Sequence, residues 1–187
     1  MASEQSEHAE AAEHAEIDRA FLGRIPIFAG LPERVMDLIA NNLRVVNVVP
    51  GAQLLREGEH AHSLFVVREG ELQILKRGRD GTEYKLAVLK TGDVVGEMSL
   101  IDIQPRSATA RALGAATLYV LDLAEIGKLY TSDVEAYALL VLNISREISR
   151  RLRVADDVLA NMGMTAEAMW SDAAGTTTHP AMPVVTD

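Results

Sequence analysis

The sequence predicts an α+β fold built on an antiparallel β-roll, a jelly-roll-like double-stranded β-helix. Between about residues 44 and 121, short β-branched or alternating segments are separated by glycines, a pattern typical of such rolls. Apolar helical segments precede this region, and a long amphipathic segment follows it. The expected fold therefore has N-terminal helices, a roll that contains one short helix, and a long C-terminal helix.

Composition favours one folded domain with tails. The 187 residues are 48% hydrophobic, which is enough for a sizeable core. A net charge of -9 argues against direct DNA binding, which needs a basic face. Cysteine is absent, which excludes disulfides, thiolate zinc sites and a thiol nucleophile. No apolar run suits a membrane span or a signal peptide, so we expect a cytoplasmic protein.

Three regions are predicted along the chain. Residues 1–16 are rich in Ala and Glu without an apolar stripe, and indicate an acidic flexible tail. Residues 17–162 form the domain, in which Pro32 stands at the start of a helix. Residues 163–187 lack periodicity and indicate a second flexible tail. Glycines at the expected corners of the roll are Gly51, Gly58, Gly70, Gly81 and Gly92. The Asp80-Gly81 pair predicts a β-hairpin, because it tolerates positive φ.

Two helix starts are predicted after the roll. Capping boxes begin at Asp122 and at Ser132, where a side chain can bond the first free N–H groups of a helix. The second helix is long and carries an apolar stripe at spacings of three and four. The stripe comprises Tyr137, Val141, Ile144, Ile148, Leu152, Ala155, Leu159 and Met162. This stripe indicates either that the helix packs on the roll of the same chain or that it forms a homodimer interface.

The segment 92–109 assembles the parts that an anionic ligand needs. Gly96 lets the backbone approach a ligand where a strand turns into a short helix. The N–H groups of Met98, Ser99 and Leu100 at that helix start suit an anion. The guanidinium of Arg106 offers paired donors to phosphate oxygens. The Glu97 carboxylate accepts hydrogen bonds and suits a sugar hydroxyl.

This combination resembles the phosphate-binding cassette of cyclic nucleotide-binding domains. The family pattern is Gly-Glu, a hydrophobic residue, Ala or Ser, Leu, a short loop, and Pro-Arg followed by a small residue, Ala and Thr. The resemblance implies that cyclic AMP or cyclic GMP is the ligand, with no other cofactor and no metal. The residues that it implies for binding are Gly96 and Glu97 at the ribose, Ser99, Ser107 and Arg106 at the phosphate, and Met98 and Ala108 within the cassette.

Residues of about 20 to 160 also resemble the sensor half of the catabolite activator protein (Crp-Fnr) family. In that family the final helix forms a dimer, and an arginine on it reaches back to the pocket; Arg151 is the candidate here. The winged helix-turn-helix of the activators is not expected in the remaining tail. Ala155 and Asp156 stand where the activators carry a Thr-Ser pair that bonds the adenine. The choice between cyclic AMP and cyclic GMP therefore stays open.

Three classes of function compete. The first is a stand-alone sensor that transmits ligand binding through its C-terminal helix to an effector protein. The second is a ligand-independent scaffold or interaction module that keeps the cassette architecture. The third is a metal enzyme, because His60 and His62 alternate as two possible ligands. His179 is the only later histidine, and no nucleophile-base pattern is found, so we predict no catalysis.

Overall fold

The computed structural model describes residues 9–11, 17–60, 62–102 and 104–161 of the chain. The chain divides into two compact units, and the boundary falls between Glu147 and Ile148, inside the last helix. Residues 1–8 and 12–16 of the predicted acidic tail, Met162 of the predicted stripe and the whole predicted tail 163–187 lie outside the described residues. The predicted division of the chain into a domain with two tails therefore stays a prediction.

Two antiparallel sheets form the first unit. One sheet has the strand order β1-β2-β9-β4-β7, and the other has the order β3-β8-β5-β6. The strands are β1 Ala9–Ala11, β2 Arg44–Val48, β3 Gln53–Leu55, β4 Ser63–Glu69, β5 Leu72–Arg77, β6 Glu83–Leu89, β7 Val94–Val95, β8 Thr109–Ala112 and β9 Ala116–Asp122. Both sheets contribute to one core, made of Val48, Val67, Leu72, Leu89, Ala112, Ala116 and Leu118. The predicted antiparallel roll is confirmed.

The hairpin predicted at Asp80-Gly81 joins β5 to β6. Gly81 has a φ of 82°, which an L side chain rarely adopts. The carboxylate of Asp80 accepts hydrogen bonds from the N–H and the hydroxyl of Thr82, so the turn is closed locally. Within the described residues β6 is an edge strand, and Tyr84 and Leu86 on it are 52% and 61% exposed.

The N-terminal strand β1 lies within the segment that was predicted as a tail. Residues 1–16 were expected to be a tail, but Ala9–Ala11 pairs with β2 in antiparallel register, with Ala9 opposite Val48. Main-chain hydrogen bonds to an open sheet edge need no apolar side chains. The search for an apolar stripe therefore could not detect this strand.

Helices precede and follow the sheet strands in the sequence, and one short helix lies between β7 and β8. They are α1 Arg19–Leu22, α2 Glu33–Asn42, α3 Met98–Ile101, α4 Leu123–Gly127, α5 Leu129–Ser132 and α6 Val134–Asn161, with a short 3-10 turn at Pro26–Phe28. Asp122 caps α4 as predicted, since its carboxylate accepts the N–H of Ala124 at 2.8 Å. The cap predicted at Ser132 is wrong, because this residue ends α5. Asp133 caps α6 instead, by accepting the N–H of Ala136.

The buried face of α6 in the first unit differs from the predicted stripe. Its buried residues are Ala136, Leu140, Asn143, Ile144 and Glu147. Of the predicted stripe only Ile144 is among them. Asn143 contributes to this difference between the observed and the predicted face of α6. Its amide donates to the carbonyl oxygens of Ile27 and Ala29 at 3.3 and 2.8 Å. A polar residue thus joins the packed face through the main-chain groups it satisfies.

We predict that Asn143→Ala lowers the free energy of unfolding by about 1 to 3 kcal/mol, because the buried bond to the Ile27 carbonyl and the partly buried bond to the Ala29 carbonyl are lost. Chemical denaturation followed by circular dichroism measures this change. Asn41→Ala, at an exposed position of α2, is the matched control and should have little effect. Equal stability of the two variants would show that the Asn143 bonds do not hold the segment at Ile27 to α6.

Candidate functional site

The predicted cassette lies between β7 and β8. Gly96 follows β7 directly and has a φ of 90°. A Cβ atom at this position would lie 2.6 Å from the carbonyl oxygen of Ser63 and 2.7 Å from Nη1 of Arg106. Only glycine therefore allows both the backbone turn and the close approach of the arginine. The predicted requirement for glycine has a clear steric cause.

Arg106 is the centre of this arrangement. Its side chain reaches back over ten residues, and Nη1 donates to the carbonyl oxygen of Gly96 and to Oγ of Ser99, each at 3.0 Å. Nη2 donates to the carbonyl oxygen of Ser63 at 2.5 Å. The residue is only 6% exposed. The guanidinium is thus fixed by three protein acceptors before any ligand is considered.

One donor of Arg106 has no such acceptor. Its Nε is buried and lacks a hydrogen-bond partner within the described ranges. A buried N–H without a partner is costly, and few are found in folded proteins. An anionic oxygen would satisfy it. Arg106 therefore combines a fixed position with one donor that suits an added acceptor.

The charge of the site is nearly balanced. Glu97 is 3% exposed and stands next to Gly96 in the chain. Burial lowers the pKa of the Arg106 guanidinium, and the negative charge of Glu97 acts in the opposite direction. An arginine keeps its charge at neutral pH under such a shift. The guanidinium can donate to an anionic oxygen, and the carboxylate can accept a hydrogen bond from a neutral hydroxyl.

The short helix α3 supplies fewer donors than predicted. The N–H of Leu100 already donates to the carbonyl oxygen of Glu97 at 3.1 Å. The first N–H groups of the turn belong to Met98 and Ser99. Ser107 lies at the exposed rim, where its hydroxyl contacts Sδ of Met98 at 3.9 Å. Met98 and Ser99 therefore remain as main-chain donors, and Leu100 does not.

A family model described as "Cyclic nucleotide-binding domain" matches residues 45–133, which include the whole cassette. Within these residues the chain is similar to the members of this family. The cyclic AMP receptor protein of Thermus thermophilus is 30% identical over 131 residues, which are 70% of this chain and 59% of that protein. A cAMP-dependent protein kinase regulatory subunit of Blastocladiella emersonii is 29% identical over 63% of this chain and 32% of its own length. The chain thus spans only part of these curated relatives.

Solved structures agree with the observed fold. A domain from Methylobacillus flagellatus gives a TM-score of 0.71 at 19% identity and covers 83% of this chain and 89% of its own. The N-terminal domain of a transcriptional regulator from Streptomyces coelicolor gives 0.60 at 30% identity, over 74% and 94%. The first of these likenesses concerns the fold alone. The resemblance to activator-type regulators and kinase regulatory subunits is confirmed.

The predicted site residues fall in both units of the chain. Ala108 lies in it, half-buried between Ser107 and β8. Arg151 belongs to the second unit, as do Ala155 and Asp156, so its predicted reach to the ligand stays a prediction. Conversely, sequence reasoning missed the Ser63 carbonyl, because a main-chain acceptor carries no residue-type signal.

Other candidate sites receive no support in the described part of the chain. It contains no group of His, Cys, Asp and Glu that could hold a metal ion, and His60 and His62 are exposed. No described helix has the length and hydropathy of a membrane span. A cleft of about 560 Å³ is lined by Ile17, Asp18, Arg19, Ala40 and Asn41, none of which belongs to the cassette.

We predict that Gly96→Ala destabilises the domain by at least about 1 to 3 kcal/mol, the usual cost of forcing a side chain into a positive φ. The added methyl group also displaces the guanidinium of Arg106. Thermal unfolding measures the change. Gly114→Ala is the matched control, since a Cβ there meets nothing within 4 Å. If both variants have the melting temperature of the parent, the close packing of Arg106 on Gly96 is not needed for the fold.

Proposed function

We propose that this domain is a sensor of a cyclic mononucleotide, cyclic AMP or cyclic GMP. The buried Nε of Arg106 carries the proposal, because it is a charged donor that an oxygen of the cyclic phosphate would satisfy. Ser99 and Ser107 line the phosphate, together with the main chain of Met98 and Ala108. Gly96 and Glu97 hold the ribose, whose hydroxyl donates to the carboxylate.

The relatives support a cyclic mononucleotide without selecting the base. Several are named as cAMP-activated regulators or cAMP-dependent kinase subunits, and the regulatory domain of a Toxoplasma gondii kinase with cAMP is 26% identical. A Toxoplasma gondii protein named as a cGMP-dependent kinase is 33% identical over 95 residues. Ala155 lacks a side-chain donor for adenine. Both nucleotides therefore belong in the first test.

A second candidate function is a ligand-independent scaffold. One observation favours it: Gly96, Ser99 and Ser63 already satisfy three hydrogen bonds of the Arg106 guanidinium. An arginine bonded in this way can serve as internal architecture. A regulatory subunit of a Trypanosoma brucei kinase described as cAMP-independent has the same fold, with a TM-score of 0.59. The two functions differ in whether a ligand stabilises the folded state.

We predict that isothermal titration detects binding of cyclic AMP or cyclic GMP and that Arg106→Ala abolishes it. Loss of the cation that pairs with a buried phosphate costs about 3 to 5 kcal/mol, or at least about a hundredfold in Kd. Arg111→Ala removes a charge from the surface ion pair between Arg111 of β8 and Glu83 of β6, and is the matched control. Unchanged binding by Arg106→Ala would refute the cassette assignment, and no binding by the parent would favour the scaffold.

We further infer that α6 carries the output, through a homodimer and an effector protein. Leu152, Val154 and Val158 in the second unit are 59%, 55% and 53% exposed. Val154 and Val158 lie one turn apart on the same side of the helix. Three large apolar side chains in so short an exposed stretch favour a protein partner, and a second copy of the chain offers the same surface.

We predict that Val158→Asp converts a dimer to a monomer, because it introduces a charge into an apolar interface. Sedimentation velocity of the parent should give twice the chain mass, and the variant should give the single mass. Ala160→Asp adds the same charge to a different side of α6 and should leave the dimer intact. A parent that sediments as a monomer at all concentrations would rule out this homodimer.

A further inference from the structure

Glu57 lies where three segments meet: the loop between β3 and β4, the end of β5, and the cassette. Its Oε1 accepts a hydrogen bond from Nζ of Lys76 at 2.7 Å. Its Oε2 accepts the N–H of Arg77 at 2.9 Å. The bond from Lys76 and then that from Arg77 lower the pKa of the Glu57 carboxyl, so it is charged at neutral pH. Glu57 thereby fixes the position of the Lys76 ammonium.

Lys76, whose ammonium is held by Glu57, also bonds the cassette. Its Nζ donates a second hydrogen bond, also of 2.7 Å, to the carbonyl oxygen of Ser107. The Ser107–Ala108 peptide is trans, since the described chain has no cis peptide. In a planar trans peptide the C=O and the N–H point in opposite directions. A carbonyl held toward Lys76 therefore directs the N–H of Ala108 to the other side of the segment.

The residues on either side of this peptide are held by the same loop. The N–H of Gly58 donates to the carbonyl oxygen of Arg106, and the N–H of Arg106 donates to that of Glu59, both at 2.9 Å. The N–H of Glu57 donates to Oγ1 of Thr109 at 3.1 Å. With Arg106 and Thr109 anchored in this way, the bond from Lys76 fixes the peptide between them.

We propose that Lys76, held by Glu57, is a positioning residue for the phosphate site. It orients the Ser107–Ala108 peptide so that the N–H of Ala108 donates to an oxygen of the bound cyclic phosphate. The inference rests on the proposed cyclic nucleotide function and deepens it. Lys76 touches the peptide that binds the ligand and not the ligand itself.

The effect of Glu57 separates positioning from direct attraction. If the charge of Lys76 acted on the phosphate directly, removal of the neighbouring Glu57 charge would strengthen that attraction and tighten binding. If Lys76 acts by position, Glu57→Gln frees the ammonium and weakens binding. The two mechanisms thus predict opposite signs for one substitution.

The test is titration calorimetry of the full chain with cyclic AMP and cyclic GMP. Lys76→Met should raise Kd about tenfold, as the loss of one charge-assisted hydrogen bond allows. Lys76→Arg should restore most of the affinity, and Glu57→Gln should weaken binding. In amide NMR spectra, the Ala108 proton should move downfield on ligand addition in the parent and less in Lys76→Met.

Lys90→Met is the matched control, since it removes the same charge from a surface pair with Glu71. It should leave Kd unchanged. A parent that binds while Lys76→Met binds equally well, or while Glu57→Gln binds more tightly, overturns the positioning role alone. A parent that binds neither nucleotide overturns the proposed function and this inference with it.

Discussion

The rest of the site depends on one contact, the packing of the Arg106 guanidinium against the backbone of Gly96. A long cationic side chain is stable in a buried position only where acceptors surround it. The turn at Gly96 provides a carbonyl oxygen, β4 provides that of Ser63, and α3 provides the hydroxyl of Ser99. The arginine thereby ties together the strand, the short helix and the loop that a ligand would contact.

The same contact links the stability of the fold to the affinity for a ligand. The guanidinium loses its conformational freedom when the chain folds, so any anion that enters meets a donor that is already oriented. Much of the cost of ordering that side chain, about 2 kcal/mol of rotamer entropy, falls on folding and not on binding. The stability of the roll and the affinity of the site are therefore coupled through Arg106.

The sequence was sufficient for features that depend on residue type. The glycine corners, the Asp80-Gly81 hairpin and the segment from Gly96 to Arg106 require particular side chains, or none, and so leave a local pattern. Features that depend on main-chain partners left no such pattern. Any residue type could provide the carbonyl oxygen that Ser63 provides. Any residue type could likewise form the main-chain bonds that pair Ala9–Ala11 with β2.

Polar side chains whose hydrogen-bond partners the sequence does not reveal account for the other differences. Asn143 lies on the buried face of α6 because it bonds two carbonyl groups far away in the sequence, and a rule based on apolar spacing assigns it to solvent. Lys76 likewise appears as an ordinary surface charge until its two acceptors are known. Asp133 displaces Ser132 as the cap because α5 uses the serine. The first two cases depend on tertiary contacts, and the third depends on where α5 ends and α6 begins.

The outer strand β6 has a consequence for how the protein behaves in concentrated solution. A seven-residue edge with exposed Tyr84 and Leu86 is a template on which other chains can add strands. Two features of the strand oppose this. Lys85 stands between the two apolar residues, and a register shift opposite Ile74 and Leu75 bends the edge. The charge of Lys85 and the register shift thus both oppose the addition of strands from other chains.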